Sequence, residues 1–346
     1  MPSVYEFTRE QLSEILDGEP SYRVEQVWHG LWTEAQSVGD ITTVPKALRV
    51  SLAERFPAGL EVAADVQSDH GATRKWVFRL VDGSTIETVL MGYADRLTVC
   101  VSSQAGCAMG CTFCATGQAG FTRHLTAGEV IEQVMFAARA AAPRRLTNVV
   151  FMGMGEPLAN YRVTMNAVRR LHEYRGLSAR HLTVSTVGVA PAIERMAREG
   201  LPLTLALSLH AANDETRSEL VPLNRRYPLA RLHEACVSWM ATTGRRLSLE
   251  WALIDGVNDT DRALDELAPY ARSLRAHVNL IPLNPTPGYL VRGSSPERVR
   301  EFRDGLVDRG VNATVRNTRG RSIDAACGQL AHVTNGRRRS ISVRSA

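Results

Sequence analysis

Polar and apolar positions follow three successive rhythms along the chain. Up to about Pro57 the spacing is helical. Segments 6–16, 22–35 and 45–56 each predict a helix, and in the second Val24, Val27, Trp28 and Leu31 share one face. Residues 1–57 therefore read as a small helical N-terminal domain. The pattern over 58–95 is that of a β-hairpin extension. KWVFRL and TIETVLM flank Asp82-Gly83, a dipeptide that signals a type I′ hairpin.

From about residue 96 short apolar runs alternate with amphipathic ones. Runs 97–103, 148–154, 182–188, 203–210, 247–254 and 277–285 predict strands. Between them, 127–141, 163–174, 191–200, 229–243 and 261–274 predict helices, the first opened by the capping box Thr126-x-x-Glu129. Such alternation means βα units on a parallel sheet, an α/β fold. Six units fit a partial, open (βα)6 barrel over 96–330 better than a closed eight-fold one. A further strand is expected in 312–320, followed by a loop that carries Cys327 and a basic tail, 331–346. In such sheets chemistry gathers at the carboxyl ends of the strands.

Charge and composition add a partner and a setting. The net charge is +5 and the pI near 9.0, with Arg pairs at 144–145, 169–170, 225–226 and 245–246. A polyanionic partner suits that balance, because Arg and Lys displace counterions from phosphates. Arg23, His29, Lys46 and Arg49 of the N-terminal stretch are candidates for part of that surface, or simply a solvated face. No run of some 18 apolar residues occurs, and the first residues lack the basic-then-apolar pattern of a secretory leader. A cytoplasmic protein with no membrane partner is expected.

Six cysteines in such a setting point to metal or redox chemistry rather than a disulfide framework. Cys107, Cys111 and Cys114 form a C-x3-C-x2-C loop just after a predicted strand. Their spacing lets three thiolates converge. Zinc would need a fourth ligand from elsewhere, and buried thiols without metal are the plain alternative. An iron–sulfur cluster usually takes four cysteines, so three would leave one iron open to another ligand.

That loop resembles the radical S-adenosylmethionine (radical SAM) signature. The resemblance implies a [4Fe-4S] cluster on Cys107, Cys111 and Cys114, with S-adenosylmethionine chelating the open iron. The surrounding text is more specific. CVSSQAGCAMGCTFCATG, MGMGEP, STVG, SLHAAND, NLIPLNP and IDAACGQL occur in that order from Cys100 to Leu330. Together they resemble the radical enzymes that methylate adenosine in 23S ribosomal RNA and transfer RNA.

By that resemblance Gly155, Glu156, Ser185, Ser208, Leu209, His210 and Asn284 contact the cofactor, all at predicted strand ends. It implies two S-adenosylmethionine per turnover, one methylating Cys327 and one yielding the radical. The methylene on Cys327 then adds to an adenine ring carbon, Glu87 accepts the ring proton, and Cys100 attacks Cys327 to release the product. An electron donor such as a flavodoxin or ferredoxin is implied, with 23S rRNA and possibly tRNA as partners. Without the resemblance, Glu87 reads as a solvent-facing strand glutamate and Cys236 as a packed core thiol. The NTRG run and the MGEP turn resemble the branch that methylates carbon 2. A carbon-8 branch conferring antibiotic resistance shares the frame. A non-catalytic, metal-stabilised RNA-binding protein would need the triplet but not the strand-end residues.

Overall fold

The computed structural model describes residues 2–284, 292–316, 323, 329 and 330. Three helices come first: α1 (Arg9–Ile15), α2 (Tyr22–Trp32) and α3 (Lys46–Arg55). Three antiparallel strands follow, β1 (Glu61–Ser68), β2 (Thr73–Arg79) and β3 (Thr85–Gly92). The barrel strands are β4 (Leu97–Cys100), β7 (Asn148–Phe151), β8 (Leu182–Thr186), β9 (Thr204–Ser208), β10 (Ser248–Leu253), β11 (His277–Pro282) and β12 (Ala313–Val315). A short hairpin, β5 (Gln104–Gly106) with β6 (Phe121–His124), brackets the cysteine loop and helix α4 (Ala115–Ala119). The crossover helices are α5 (Ala127–Ala141), α6 (Tyr161–Glu173), α7 (Ala190–Ala197), α8 (Asp214–Leu220), α9 (Leu229–Thr243), α10 (Asp261–Ser273) and α11 (Pro296–Asp308).

One ten-stranded sheet runs in the order β1-β2-β3-β4-β7-β8-β9-β10-β11-β12. From β4 to β12 every pairing is parallel, and β3 joins β4 antiparallel. This is the expected α/β architecture, an open barrel built from consecutive βα units. Several helices start on a side-chain cap. At α5, Thr126 accepts from Glu129 N while the Glu129 carboxylate accepts from Thr126 N, so the expected capping box forms.

Register divides every barrel strand into two faces. Outward positions such as Val99, Val149, Val184, Leu205, Leu207, Trp251 and Leu280 are fully buried in the layer shared with the helices. Each such side chain contributes about 1.5–3 kcal/mol by leaving water. Inward positions are polar: Thr98, Asn148, Thr183, Thr204, Ser248, Asn279 and Thr314 line a cavity at the amino ends of the strands. An incomplete barrel need not fill its lumen with apolar layers, so the concave side keeps a cavity, which Val150 and Met152 also line.

The hairpin between β2 and β3 forms, but its turn differs from the type I′ expectation. A type I′ turn needs positive φ at both central residues. Gly83 has φ +82°, whereas Asp82 stays at negative φ, and Leu80 N bonds Ser84 O at 2.8 Å around a three-residue loop. The Asp82 carboxylate explains the choice. It accepts from Ser84 N (3.0 Å) and Ser84 Oγ (2.6 Å) and pairs with Arg123 of β6. Strand β1 and the β5–β6 hairpin had no pattern strong enough to predict.

The N-terminal helices share one continuous apolar cluster with the barrel. Buried Glu132 of α5 accepts from Ser3 Oγ (3.0 Å) and Gly59 N (2.9 Å), and Arg139 donates to Ala35 O (3.0 Å). Among the described residues no helix is long and apolar enough to cross a membrane.

Candidate active site

At the carboxyl ends of the barrel strands one cavity is lined by Cys107, Cys111, Cys114, Gly155, Glu156, Ser185, Ser208 and His210. Eight of the residues singled out from sequence, spread over about a hundred positions, thus meet at one mouth. The cysteine loop reaches it because small residues let it turn tightly and because α8 supports it. Thr112 N donates to Leu220 O at 3.1 Å, and Cys111 and Phe113 pack with Leu220 and Val221.

Glu156 sits at the centre of the glycine-rich turn after β7. Gly155 adopts φ +99°, and a Cβ there would lie 2.5 Å from Gln104 Cβ, so only glycine allows this approach. Gln104 Oε1 in turn accepts from Glu156 N at 2.8 Å. The carboxylate accepts from Leu158 N (3.0 Å) and Val187 N (2.8 Å). Burial pushes its pKa up to about 7, and these backbone donors hold it from rising further. Ser185 Oγ and Ser208 Oγ face each other at 3.4 Å on neighbouring strands.

His210 is held rather than mobile. It takes φ +61°, its Nδ1 accepts from Ala252 N at 3.0 Å, and Phe113 packs edge-on at 4.6 Å. With Nδ1 accepting, the proton is on Nε2. Burial, and then the nearby Arg217 cation, push its pKa down to about 3, so the ring is neutral.

The remaining candidates lie elsewhere. Leu209 is fully buried in the apolar core, and its main-chain N–H and C=O bond Glu250 O and Arg217 Nε, both at 3.0 Å. Asn284 is buried just beyond Leu283, which does line the cavity. Cys100 is buried at the end of β4, opposite Val89 and beside Val150. That pairing puts it on the concave face with Glu87, two residues from Val89 on β3. Glu87 is not the solvent-facing residue that a strand pattern alone predicts: it is 2% exposed and pairs with Lys75 Nζ at 3.1 Å. Cys236 is fully buried on α9. Cys327 lies outside the described residues. Leu330, three positions later, is buried, and its carbonyl accepts from Thr116 Oγ1 beside the cysteine loop.

Several neighbours carried no sequence signal. Glu250, on β10, turns inward and accepts from Ser248 Oγ (2.8 Å) and Asn279 Nδ2 (2.7 Å), and with Arg316 it borders both cavities. Lys75 and the buried Arg217 were equally silent, since a lysine in a strand and an arginine in a helix ordinarily face solvent. In the N-terminal stretch Arg23 donates to Gln26 Oε1 (2.6 Å) and Arg49 to Gly39 O (3.4 Å), so part of that charge is used internally.

The triplet fits a cluster better than a single ion. Burial raises the thiol pKa of Cys107 to about 12 and that of Cys111 well above its ordinary value, and the neighbouring thiols and Glu156 raise both further. Such a nest holds thiolates when a cationic metal centre offsets their charge. Sharing one zinc would bring the sulfurs within about 3.8 Å of one another, given Zn–S bonds near 2.3 Å. Among the described residues no three Cys, His, Asp or Glu groups converge on one ion position. A cluster gives each cysteine its own iron and does not require that convergence.

Comparison with known proteins agrees with this geometry. Residues 101–268 match the model of the radical SAM superfamily. The "Probable dual-specificity RNA methyltransferase RlmN" of Parafrankia sp. is 52% identical over 91% of this chain and 87% of its own length. The protein of the same description from Chloroflexus aurantiacus is 48% identical over 95% and 92%. A crystal structure of a radical SAM methyltransferase from Sphaerobacter thermophilus superposes with a TM-score of 0.92 at 52% identity, covering 95% of this chain and 99% of that one.

Proposed function

The chain belongs to the radical SAM superfamily and, within it, to the family of these RNA methyltransferases, and from that premise we propose that it methylates carbon 2 of adenine in 23S rRNA and tRNA. The observation that carries the reading is the meeting of Cys107, Cys111 and Cys114 with Glu156, Ser185, Ser208 and His210 on one strand-end cavity. Membership implies a [4Fe-4S] cluster and S-adenosylmethionine. When bound, the cluster and S-adenosylmethionine would together supply one-electron radical chemistry at this cavity.

The chain's own residues supply the rest. Cys107, Cys111 and Cys114 would hold the cluster. Glu156, as a carboxylate, accepts from the cofactor's ammonium, and Ser185, Ser208 and the Nε2–H of neutral His210 offer further polar contacts on the same wall. Gly155 lets the backbone approach closely; Leu209 and Asn284 do not line the cavity but adjoin His210 and Leu283, which do.

The Cys327 thiolate takes the methyl of a first S-adenosylmethionine, since an adenine ring carbon is no nucleophile for direct transfer. With the radical chemistry that the cofactors would supply from a second one, that methyl carbon would lose a hydrogen atom and bond the ring. Glu87 would accept the ring proton, the surplus electron would return to the electron carrier, and Cys100 would attack Cys327 sulfur, its thiol proton going to the released methyl and a Cys100–Cys327 disulfide remaining. Glu87 and Cys100 sharing the concave face supports those two roles, as does Leu330 docking beside the cysteine loop. Electrons come from a flavodoxin- or ferredoxin-type carrier, and the setting is cytoplasmic.

The test is expression in a host lacking its own adenosine methylase, with ribosomal and transfer RNA analysed separately by nucleoside mass spectrometry. 2-Methyladenosine in both RNAs is the expected result. 8-Methyladenosine would move the chain to the other branch, and neither product with the cluster present would sink the RNA assignment.

A further inference from the structure

Arg217 is an anomaly of the barrel wall. The residue is 1% exposed, yet among the described residues it makes no ion pair with a carboxylate. Its acceptors are all neutral: Leu209 O (3.0 Å), Asn224 Oδ1 (2.8 Å), Val187 O (2.7 Å) and Ser208 O (3.4 Å). Asp214 is separated from it by Asn224, whose Nδ2 it accepts at 2.8 Å. An isolated buried charge is costly, and lacing carbonyls together does not by itself call for a cation.

The position of that charge suggests its use. Val187 and Ser208, whose carbonyls it holds, line the cavity that carries the cysteine triplet. Its own helix, α8, supports the triplet through Leu220 O, which accepts from Thr112 N. Leu209, whose carbonyl accepts from Arg217 Nε, is followed by His210, against which Phe113 of the cysteine loop packs, so guanidinium, cavity wall and loop form one packed unit.

We infer that Arg217 is the fixed positive charge that keeps the cluster on Cys107, Cys111 and Cys114 reducible. The inference rests on the radical SAM reading. A centre held by three thiolates gains further negative charge when it takes an electron. In a poorly polarisable wall a nearby cation favours that reduced state, and net charge and burial are among the factors that set cluster potentials. Arg217 touches neither substrate nor cluster in this scheme. It acts through its field, as a positioning residue for charge.

The test is redox titration of the reconstituted, cluster-loaded full chain, followed by electron paramagnetic resonance, for wild type, Arg217→Gln and Arg217→Lys. Arg217→Gln should lower the reduction equilibrium constant at least tenfold, about 59 mV for one electron. Arg217→Lys keeps the charge but not the four-bond geometry. It should lose thermal stability while holding the potential within threefold of wild type. A fully loaded Arg217→Gln with the wild-type potential overturns the inference. So does a tenfold shift in Arg217→Lys, which decides the matter even if the neutral variant fails to load. A wild-type protein that assembles no S-adenosylmethionine-binding cluster would instead refute the radical reading beneath it.

Discussion

Lys75 Nζ lies 3.1 Å from Glu87 Oε2, and both side chains are nearly closed to solvent. They stand on adjacent antiparallel strands that extend the concave face of the barrel, with Cys100 one strand further on. A buried ion pair is weak evidence for stability, because desolvation offsets most of the attraction. Its place on the reactive face points to the carboxylate's work.

Lys75→Met should therefore damage both stability and catalysis. Removing one partner leaves an uncompensated buried charge and costs about 3–5 kcal/mol. The double variant Lys75→Met/Glu87→Gln, with no charge left, should recover most of that stability in urea denaturation. It should still methylate RNA at least tenfold more slowly, while S-adenosylmethionine cleavage persists. Full methylation by the double variant would remove Glu87 from the proton-transfer role.

Cys100 offers a trapping experiment. It is buried on the same face. If its attack on Cys327 releases the product, Cys100→Ala should accumulate a covalent protein–RNA adduct on denaturing gels. Cys327→Ala should form none. An adduct-free Cys100→Ala protein that still cleaves cofactor would end the resolving assignment.

If Glu156 holds the cofactor's ammonium as proposed, cofactor binding should depend on pH. Its pKa is raised by burial to about 7, so in the folded protein it is mostly protonated at pH 6 and mostly ionised at pH 8. Only the ionised form accepts from an ammonium. S-Adenosylmethionine should bind about tenfold more weakly at pH 6 than at pH 8, following the ionised fraction. Equilibrium dialysis of Glu156→Gln should show weak binding with no such pH step. The linkage to stability has the opposite sign. A raised folded pKa stabilises fully below the unfolded value near 4.5, and that contribution is lost as pH rises through about 7. Chemical denaturation of the cofactor-free protein should therefore steepen in pH between those limits, and flatten in Glu156→Gln.

Glu132 tests how the N-terminal helices are fastened. Glu132→Ala strands the buried Ser3 hydroxyl and Gly59 N–H that its carboxylate now accepts. About 1–3 kcal/mol should be lost for each group left unsatisfied. Limited proteolysis should then cut faster near residues 57–60 without any loss of bound cluster; an unchanged cleavage rate would show that apolar packing alone holds this segment.

Much of this protein was legible along the chain because the relevant signals are local. Strand and helix periods, the Thr126 capping box and the C-x3-C-x2-C spacing each depend on residues within a few positions of one another. The strand-end motifs were legible too, since parallel βα units bring carboxyl ends to one side by chirality and connection length alone. Family resemblance added roles to those positions, which spacing could not.

What the tertiary structure decided concerns charge and neighbourhood. Glu87 reads as exposed from its strand pattern, because nothing along β3 reveals that all its positions, on both faces, are buried in the fold. The Asp82-Gly83 turn follows Arg123, 41 residues away, as much as its own dipeptide. Arg217 sits in a helix of acidic and polar residues, DETRSEL, and nothing local separates it from a solvated cation. Burial of a charge and the identity of its partners are set by which distant strands close over it, and these are properties of packing that no window of sequence contains.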